Sequence, residues 1–405
     1  MGLFDIFSST PSRDKFAQMV RQQAARSGLT QDMVYSERDF SLLHGEGRKQ
    51  VFNLHNAYHD YCAAPKAERA NVLNKYLAVL RQPETPNTYA DARPYLRPII
   101  RSKTFPETMR LTHAANGDDK PYEDSSRVFS EDAVLMIAFD TPETMSSVGI
   151  EQIREWGMTF DAVFADAIDN LRGLGAEQFV EVAPGVYRGT WNDAYDSSRC
   201  LLPDMMHRTP AGTDCVIMIP TRGCLLVASA RDVNAQRAMV AVAQETLAAE
   251  QRAVSSHMYR IHDGRLEAVV PQDADTAQRL ADLQRHGSAD AYQVQKDLLE
   301  RLHEAQGIDL FVASCKLIQQ QDTGRLNTYA VWTKDVDTLL PRTDLIALLV
   351  IGEDGEPKAD VFTTWDAMFA ECSGLLEPVA DGYPVRYRTR GFPSEEQFAR
   401  LPAAN

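Results

Sequence analysis

A chain of 405 residues is long for one hydrophobic core, so two or three domains are expected. Its composition, 44% hydrophobic and 24% charged, is that of an ordinary globular protein. The formal net charge of −15 is uneven, with 17 Lys and Arg against 13 Asp and Glu in residues 1–120, and 25 against 44 in the remainder. So acidic a body repels polyanions and argues against a nucleic-acid partner, and no run reaches the roughly 18 apolar residues that would argue for a membrane span.

The opening Met-Gly-Leu-Phe-Asp-Ile-Phe is too short an apolar run for a signal peptide and lacks a basic flank, so a cytoplasmic protein is expected. Phe16, Met19, Val20 and Ala24 fall at helical spacing and predict an amphipathic helix over 12–26, ended by Ser27-Gly28. Short segments at 33–37 and 40–43 lead to a break at Gly45-Glu46-Gly47. Helical pattern then covers 49–62 and 66–81, and the stretch Gln82-Pro83-Glu84-Thr85-Pro86-Asn87 reads as a linker. A domain boundary is placed near residue 90.

In the middle region a polar loop over 113–126 precedes a strand at 133–139, and a helix over 160–174 buries Phe160, Val163, Phe164, Ala167, Ile168 and Leu171. Strands at 179–182 and 186–191 turn at Pro184-Gly185, and a short helix over 195–202 is stopped by Pro203. The runs Cys215-Val-Ile-Met-Ile219 and Cys224-Leu-Leu-Val-Ala228, joined through Pro220-Thr221-Arg222-Gly223, are apolar on both faces and predict the middle of a covered sheet. An Ala-rich helix over 233–251 and a hairpin turning at Asp263-Gly264 come next. From Pro271 two polar helices, 274–285 and 290–306, are separated by His286-Gly287-Ser288; strands are expected at 310–318, 328–332, 345–351, 359–363 and 383–388, with a helix from Thr364 to Cys372. Helices and strands interleave without a βαβ rhythm. The expected fold is α+β and multidomain, with mixed or antiparallel sheets covered by helices, in domains 1–90, 91–271 and 272–405.

No GxSxG, Walker A or GxGxxG pattern occurs. The six cysteines have no CxxC spacing and read as reduced thiols. His55, His59 and Cys62 share a helix face at a spacing that can hold zinc, but no Glu follows His55, and Leu54, Tyr58 and Cys62 read as a core stripe, so no metal and no cofactor is expected. The polar groups with most chemistry are Asn192, Asp193, Tyr195, Asp196 and Arg199. Asp193 or Asp196 could act as a general base or metal ligand, with Arg199 as an anion clamp. Alternatively Asn192 or Asp193 caps a helix, Asp196 sits in its first turn, and Arg199 is one end of an ion pair. Arg101-Ser102 and Arg222 adjoin apolar stretches, where a charge needs a partner. Pairing of Arg101, Arg199 or Arg222 with Asp193 or Asp196 would give a structural network; an anion site is the second reading.

The segments Pro98-Ile-Ile-Arg101-Ser102-Lys-Thr-Phe105-Pro106, Asn170-Leu-Arg-Gly-Leu174, Asn192-Asp193-Ala-Tyr195-Asp196-Ser-Ser-Arg199 and Ile219-Pro220-Thr-Arg222-Gly-Cys-Leu-Leu226 occur in an order that resembles the YtpQ-like family of bacterial cytosolic proteins. The resemblance spans residues 10–270; Gly223 stands where that family has Asp, and the chain beyond 270 has no counterpart in its shorter members. It implies an α+β fold and a cytosolic protein, and no activity. The function expected is that of a non-catalytic protein-binding or scaffold module with a protein partner. The alternative is a hydrolase-type enzyme using Asp193 or Asp196 with Arg101 and Arg222 around a polar pocket. Unpaired carboxylates converging in a cleft would favour the enzyme; carboxylates paired off and buried would favour the scaffold.

Overall fold

A computed structural model describes residues 10–29, 32–37, 40–45, 50–78, 80, 86–115, 122–141, 145–175, 178–250, 252–262, 265–320, 324–352 and 355–404. The opening segment, most of the expected breaks at 45–47 and 82–87, and the Asp263-Gly264 turn lie outside them. The fold is α+β, with twelve helices and five mostly antiparallel or mixed sheets among the described residues. Contacts gather the chain into two compact units, residues 1–97 with 138–167 and residues 98–137 with 168–405. Segments read from the sequence as central and C-terminal domains fall together in the second unit.

In the first unit, α1 (Arg13–Arg26) begins where the Ser12 hydroxyl accepts the Lys15 amide and ends as Gly28 turns left-handed. Strands β1 (Val34–Ser36), β2 (Ser41–His44) and β3 (Gln50–Asn53) form an antiparallel sheet in that order. The helix expected from residue 49 therefore starts later. Val51 and Phe52 pair into β3, and the Asn53 side chain accepts the His55 amide at the start of α2 (His55–Ala63). With α3 (Arg69–Ala78), these elements bury Phe16, Phe40, Leu42, Leu54, Leu73 and Leu77 in one core. The next elements are α4 (Tyr89–Ala92), β4 (Leu96–Ser102), α5 (Thr104–Ala115), β5 (Arg127–Val128), β6 (Ala133–Asp140), β7 (Met145–Ser147), α6 (Ile150–Glu155) and α7 (Phe160–Arg172). The chain passes from one unit to the other within β4, β6 and α7.

The second unit is built on a six-stranded antiparallel sheet. Its strands are β8 (Phe179–Ala183), β9 (Val186–Gly189), β10 (Cys215–Met218), β11 (Leu226–Ser229), β12 (Met258–His262) and β13 (Arg265–Ala268), in the order β13-β12-β10-β11-β9-β8. The two strands apolar on both faces, β10 and β11, take the centre, as their continuous runs require. Between β9 and β10 lie a 3₁₀ turn, Ser197–Leu201, and α8 (Pro203–Met206). Pro203 thus opens a helix instead of stopping one, because at the first helical position its missing N–H is not needed. The sheet is covered by α9 (Val233–Ala249), and α10 (Ala274–Gln306) packs on both α9 and α5. Leu280 and Leu283 of α10 enter the same core as Met218, Leu226 and Met239.

Where two helices are expected, α10 is one helix of 33 residues, from the Asp273 cap to Gly307 in the left-handed region. Gly287 does not break it. A Cβ there would meet Ser256 Oγ at 3.3 Å, so this glycine allows close approach of the helix to the segment before β12. Beyond α10 come β14 (Phe311–Val312), β15 (Lys316–Gln319), β16 (Leu326–Thr333), β17 (Thr338–Pro341), β18 (Leu345–Ile351), β19 (Pro357–Thr364), α11 (Trp365–Cys372), β20 (Leu376–Pro378), β21 (Arg386–Thr389) and α12 (Glu395–Arg400). They form two four-stranded sheets, β14-β17-β21-β20 and β15-β16-β18-β19, with parallel pairs at β14–β17 and β16–β18. Trp332, Leu340, Ile346, Leu348 and Trp365 share their core. No helix among the described residues is long and apolar enough to cross a membrane.

Candidate functional site

The loop after β9 is shaped by a glycine and an indole. A Cβ on Gly189 would lie 2.3 Å from the Trp191 ring, so only glycine lets the indole fold back over the strand. The guanidinium of Arg199 then stacks 4.3 Å from the centre of that ring. Asn192 and Ala194 both adopt positive φ, of 53° and 70°, and this sharp course turns the Asp193 carboxylate inward. Its Oδ1 accepts the Tyr195 amide at 3.0 Å and Arg199 Nη1 at 2.8 Å, while Oδ2 meets Arg199 Nη2 at 2.5 Å. Arg199 is fully buried and also donates to the Leu174 carbonyl at 3.3 Å. Burial raises the Asp193 carboxyl, but the Arg199 fork and the Tyr195 amide outweigh it, and the group is held below its ordinary value.

Asp196 is fully buried as well, but its surroundings act the other way. Oδ1 accepts the amides of Trp191 and Asn192 at 3.2 and 3.4 Å, and Oδ2 meets no hydrogen-bond partner among the described residues. Burial, with the Asp193 charge nearby, raises its carboxyl above the usual range against the pull of the Asn192 amide and Arg199. The expected cap on a helix from residue 195 is not how these aspartates serve. Asp193 makes a turn onto the Tyr195 amide, and Asp196 stands at the start of the 3₁₀ turn without capping it, because its side chain reaches back into the loop.

The other expected site residues divide. Ser102 Oγ accepts the Thr104 amide and hydroxyl at 3.2 and 2.9 Å and so starts α5. Asn192 is exposed and donates to the Thr190 carbonyl. Tyr195 is buried, 2% exposed, as is Arg101, 5% exposed, whose Nη1 donates to the Ile100 carbonyl at 2.9 Å. Arg222 lies half-buried, its guanidinium 5.7 Å from the centre of the Phe105 ring. Arg199 grips Asp193 with both arms of its guanidinium. His55 and His59 turn to Asn53 and Asp60 respectively, and among the described residues no group of three His, Cys, Asp or Glu is arranged to hold a metal ion. All six thiols are free; five are buried and Cys62 is half-buried. Burial pushes the Cys224 thiol up to about 12.

Two polar networks escape sequence reasoning. In one, Asp132 ahead of β6 accepts from the Ser255 hydroxyl at 2.8 Å and the Ser256 amide at 2.9 Å, and its Oδ2 lies 3.0 Å from His257 Nδ1. His257, just ahead of β12, has a side chain only 16% exposed, because this carboxylate draws the ring in. In the other, Gln295 of α10 joins Glu107 of α5 to Arg386 of β21. Each partnership spans more than a hundred or about ninety residues of chain, and no local spacing signals it. Glu250 holds Arg188 at 3.0 Å and accepts from Thr221, which pins the loop ahead of Arg222.

The second unit also carries two open cavities, of about 840 and 900 Å³, which share Lys103 and Tyr383 in their walls. Neither is lined by Asp193, Asp196, Arg101, Arg199 or Arg222. No family model, curated protein or solved structure matches the chain.

Proposed function

We propose that the protein works by binding a protein partner in the cytoplasm, without catalysing a reaction. The observation that carries this is the fate of the carboxylates: Asp193 is spent on both arms of a buried Arg199, and Asp196 is sealed against backbone amides. A general base needs a carboxylate within reach of a substrate proton, and a nucleophile needs an open face. Asp193 is partly exposed, but both its oxygens are taken by Arg199; Asp196 is buried; and neither lines either of the two cavities described above. The resemblance to YtpQ-like proteins adds no activity to this picture. The test is a pair of measurements on the full-length chain. Cross-linking in the native host should trap a stoichiometric protein complex that survives gel filtration. Hydrolysis of ester, amide and phosphoester substrates should stay at the background rate. Turnover that disappears in Asp196→Asn while the melting temperature is unchanged would replace the binding reading with the hydrolase.

A further inference from the structure

The cavity of about 840 Å³ in the second unit takes no part in the partner reading and stands independently of it. Its size falls within the roughly 300–1,000 Å³ usual for sites that hold small molecules. Two cations stand in its wall, Lys103 between β4 and α5 and Arg342 just after β17. They belong to one frame. The Lys103 ammonium lies 5.6 Å from the centre of the Tyr383 ring. Two residues further on, the Val385 carbonyl accepts the Tyr292 hydroxyl at 2.8 Å, and that hydroxyl accepts the Arg342 amide at 3.0 Å. Tyr292 of α10 thus ties the segment that meets Lys103 to the turn that carries Arg342.

Neither cation is paired with a carboxylate among the described residues. The acidic groups of the same wall have other engagements. Both oxygens of Asp344 are taken, Oδ2 by Arg285 Nε at 3.0 Å and by the Thr328 amide and hydroxyl at 2.8 Å each, and Oδ1 by Arg285 Nη2 at 3.4 Å. Glu131 lies 3.6 Å from His257, and Asp366 is exposed in the first turn of α11, where the helix end favours a negative charge. Asn327 of β16 also lines the cavity. It is only 5% exposed, yet its carboxamide makes no hydrogen bond among the described residues. An amide so placed is costly unless something entering the cavity supplies the partner. Tyr383 and Tyr387, both half-buried, add aromatic surface to the same wall.

Two positive charges match a phosphate monoester, which carries about −1.5 to −2 at neutral pH, and a guanidinium offers paired donors to its oxygens. A carboxamide donates and accepts at once, which suits the edge of a heterocycle, and tyrosine rings pack against its face. We propose that this cavity binds a phosphate monoester carrying a polar ring, of the kind found in a mononucleotide. Lys103 and Arg342 take the phosphate, and Asn327, Tyr383 and Tyr387 take the ring.

The test uses the full chain with the 5′-monophosphates of adenosine, guanosine, cytidine and uridine, read by isothermal titration and thermal melts. Inorganic phosphate and the four parent nucleosides, at matched ionic strength, are the comparison arms. At least one nucleotide should bind saturably, raise the melting temperature, and bind about tenfold or more tighter than inorganic phosphate or its own nucleoside. Lys103→Gln and Arg342→Gln should each weaken that nucleotide by about tenfold or more. Arg390→Gln, which removes an exposed arginine paired with Glu377, should leave it unchanged. Arg342 is exposed, so its replacement reports on binding and not on folding. The proposal is overturned if all four nucleotides bind no more tightly than inorganic phosphate or their nucleosides, or if both Lys103→Gln and Arg342→Gln bind as the parent does.

Discussion

Arg199 and Arg386 are 0% and 2% exposed, yet the protein keeps their charges by different means. Arg199 faces one carboxylate, whose side chain is 31% exposed, and rests on one indole; all but the Leu174 carbonyl come from residues 191–199. Arg386 gathers its acceptors from across the unit: Gln295 Oε1 at 2.8 Å, the Ala313 carbonyl at 2.7 Å, the Tyr292 carbonyl at 3.1 Å and the Leu339 carbonyl at 3.2 Å. Burial brings its guanidinium down to about 10, still protonated at neutral pH. A buried cation thus needs its donors satisfied more than it needs a counter-ion beside it. The first arrangement is a clasp within one loop. The second is a junction that ties α10, β17 and β21 together, and through Gln295 and Glu107 it extends to α5.

The sharpest way to break this contrast is to remove the junction whole. Truncation after Pro271 deletes Arg386, all four of its acceptors, and the Leu280 and Leu283 side chains that complete the core of the six-stranded sheet. The truncated protein should lose cooperative thermal unfolding and bind hydrophobic dye. A single sharp transition would show that the clasp and its sheet need no junction. Arg386→Leu tests the same point with one side chain. It leaves four buried acceptors short of donors and should lower stability by about 4 kcal/mol or more in urea melts. A loss no larger than that of an exposed arginine would mean that water takes its place.

The clasp should give way more gently. Asp193→Asn strands the Arg199 charge, and because the aspartate is partly exposed the loss should be about 3 kcal/mol, at the low end for a broken buried pair. Asp196→Asn keeps the acceptor for the two loop amides and removes a carboxyl already disfavoured by burial, so its change should stay within about 1 kcal/mol. Equal losses at the two positions would contradict the division of roles. Asp193 also carries a sign in pH. Its carboxyl is held below the ordinary 3.8, so its contribution is present above that value and is lost as pH falls through the folded value; the gap between parent and Asp193→Asn should close in acid.

The smallest effect should come from His257, where burial lowers the imidazole but Asp132 and Glu131 raise it further, to a net value above the ordinary 6.5. A raised group stabilises fully below 6.5 and loses that contribution as pH rises through its folded value. His257→Gln should therefore destabilise more at about pH 6 than at about pH 8.5. The ring titration followed by NMR should have its midpoint above 6.5, and a midpoint at or below it would remove the ion pair with Asp132 from the account.

Much of the fold was legible because it rests on local pattern. The runs at 215–219 and 224–228 lack a polar face, and they are the central strands β10 and β11. Ser12 and Gly28 bracket α1 as a cap and a stop should. The pattern misled where one residue has two uses. Gly287 looked like a helix break but serves the approach of α10 to Ser256, and Val51-Phe52 carries helical spacing but pairs into β3. At the candidate site the cluster of Asn192, Asp193, Asp196 and Arg199 was visible because its members are neighbours in sequence. Asp132 and Arg386 were not, because their partners are brought to them only by the folded sheets.

The alternation of the two units along the chain has a consequence for synthesis on the ribosome. Residues 1–97 cannot complete their unit until 138–167 have emerged, and the intervening 98–137 belong to a unit whose remaining residues run to 405. At typical elongation rates of about 5–20 residues per second, that interposed segment waits on the order of tens of seconds for its companions. During that interval the nascent chain carries β4 and its buried Ile99, Ile100 and Arg101 without the six-stranded sheet, and it is the stage at which a holding chaperone has most to bind.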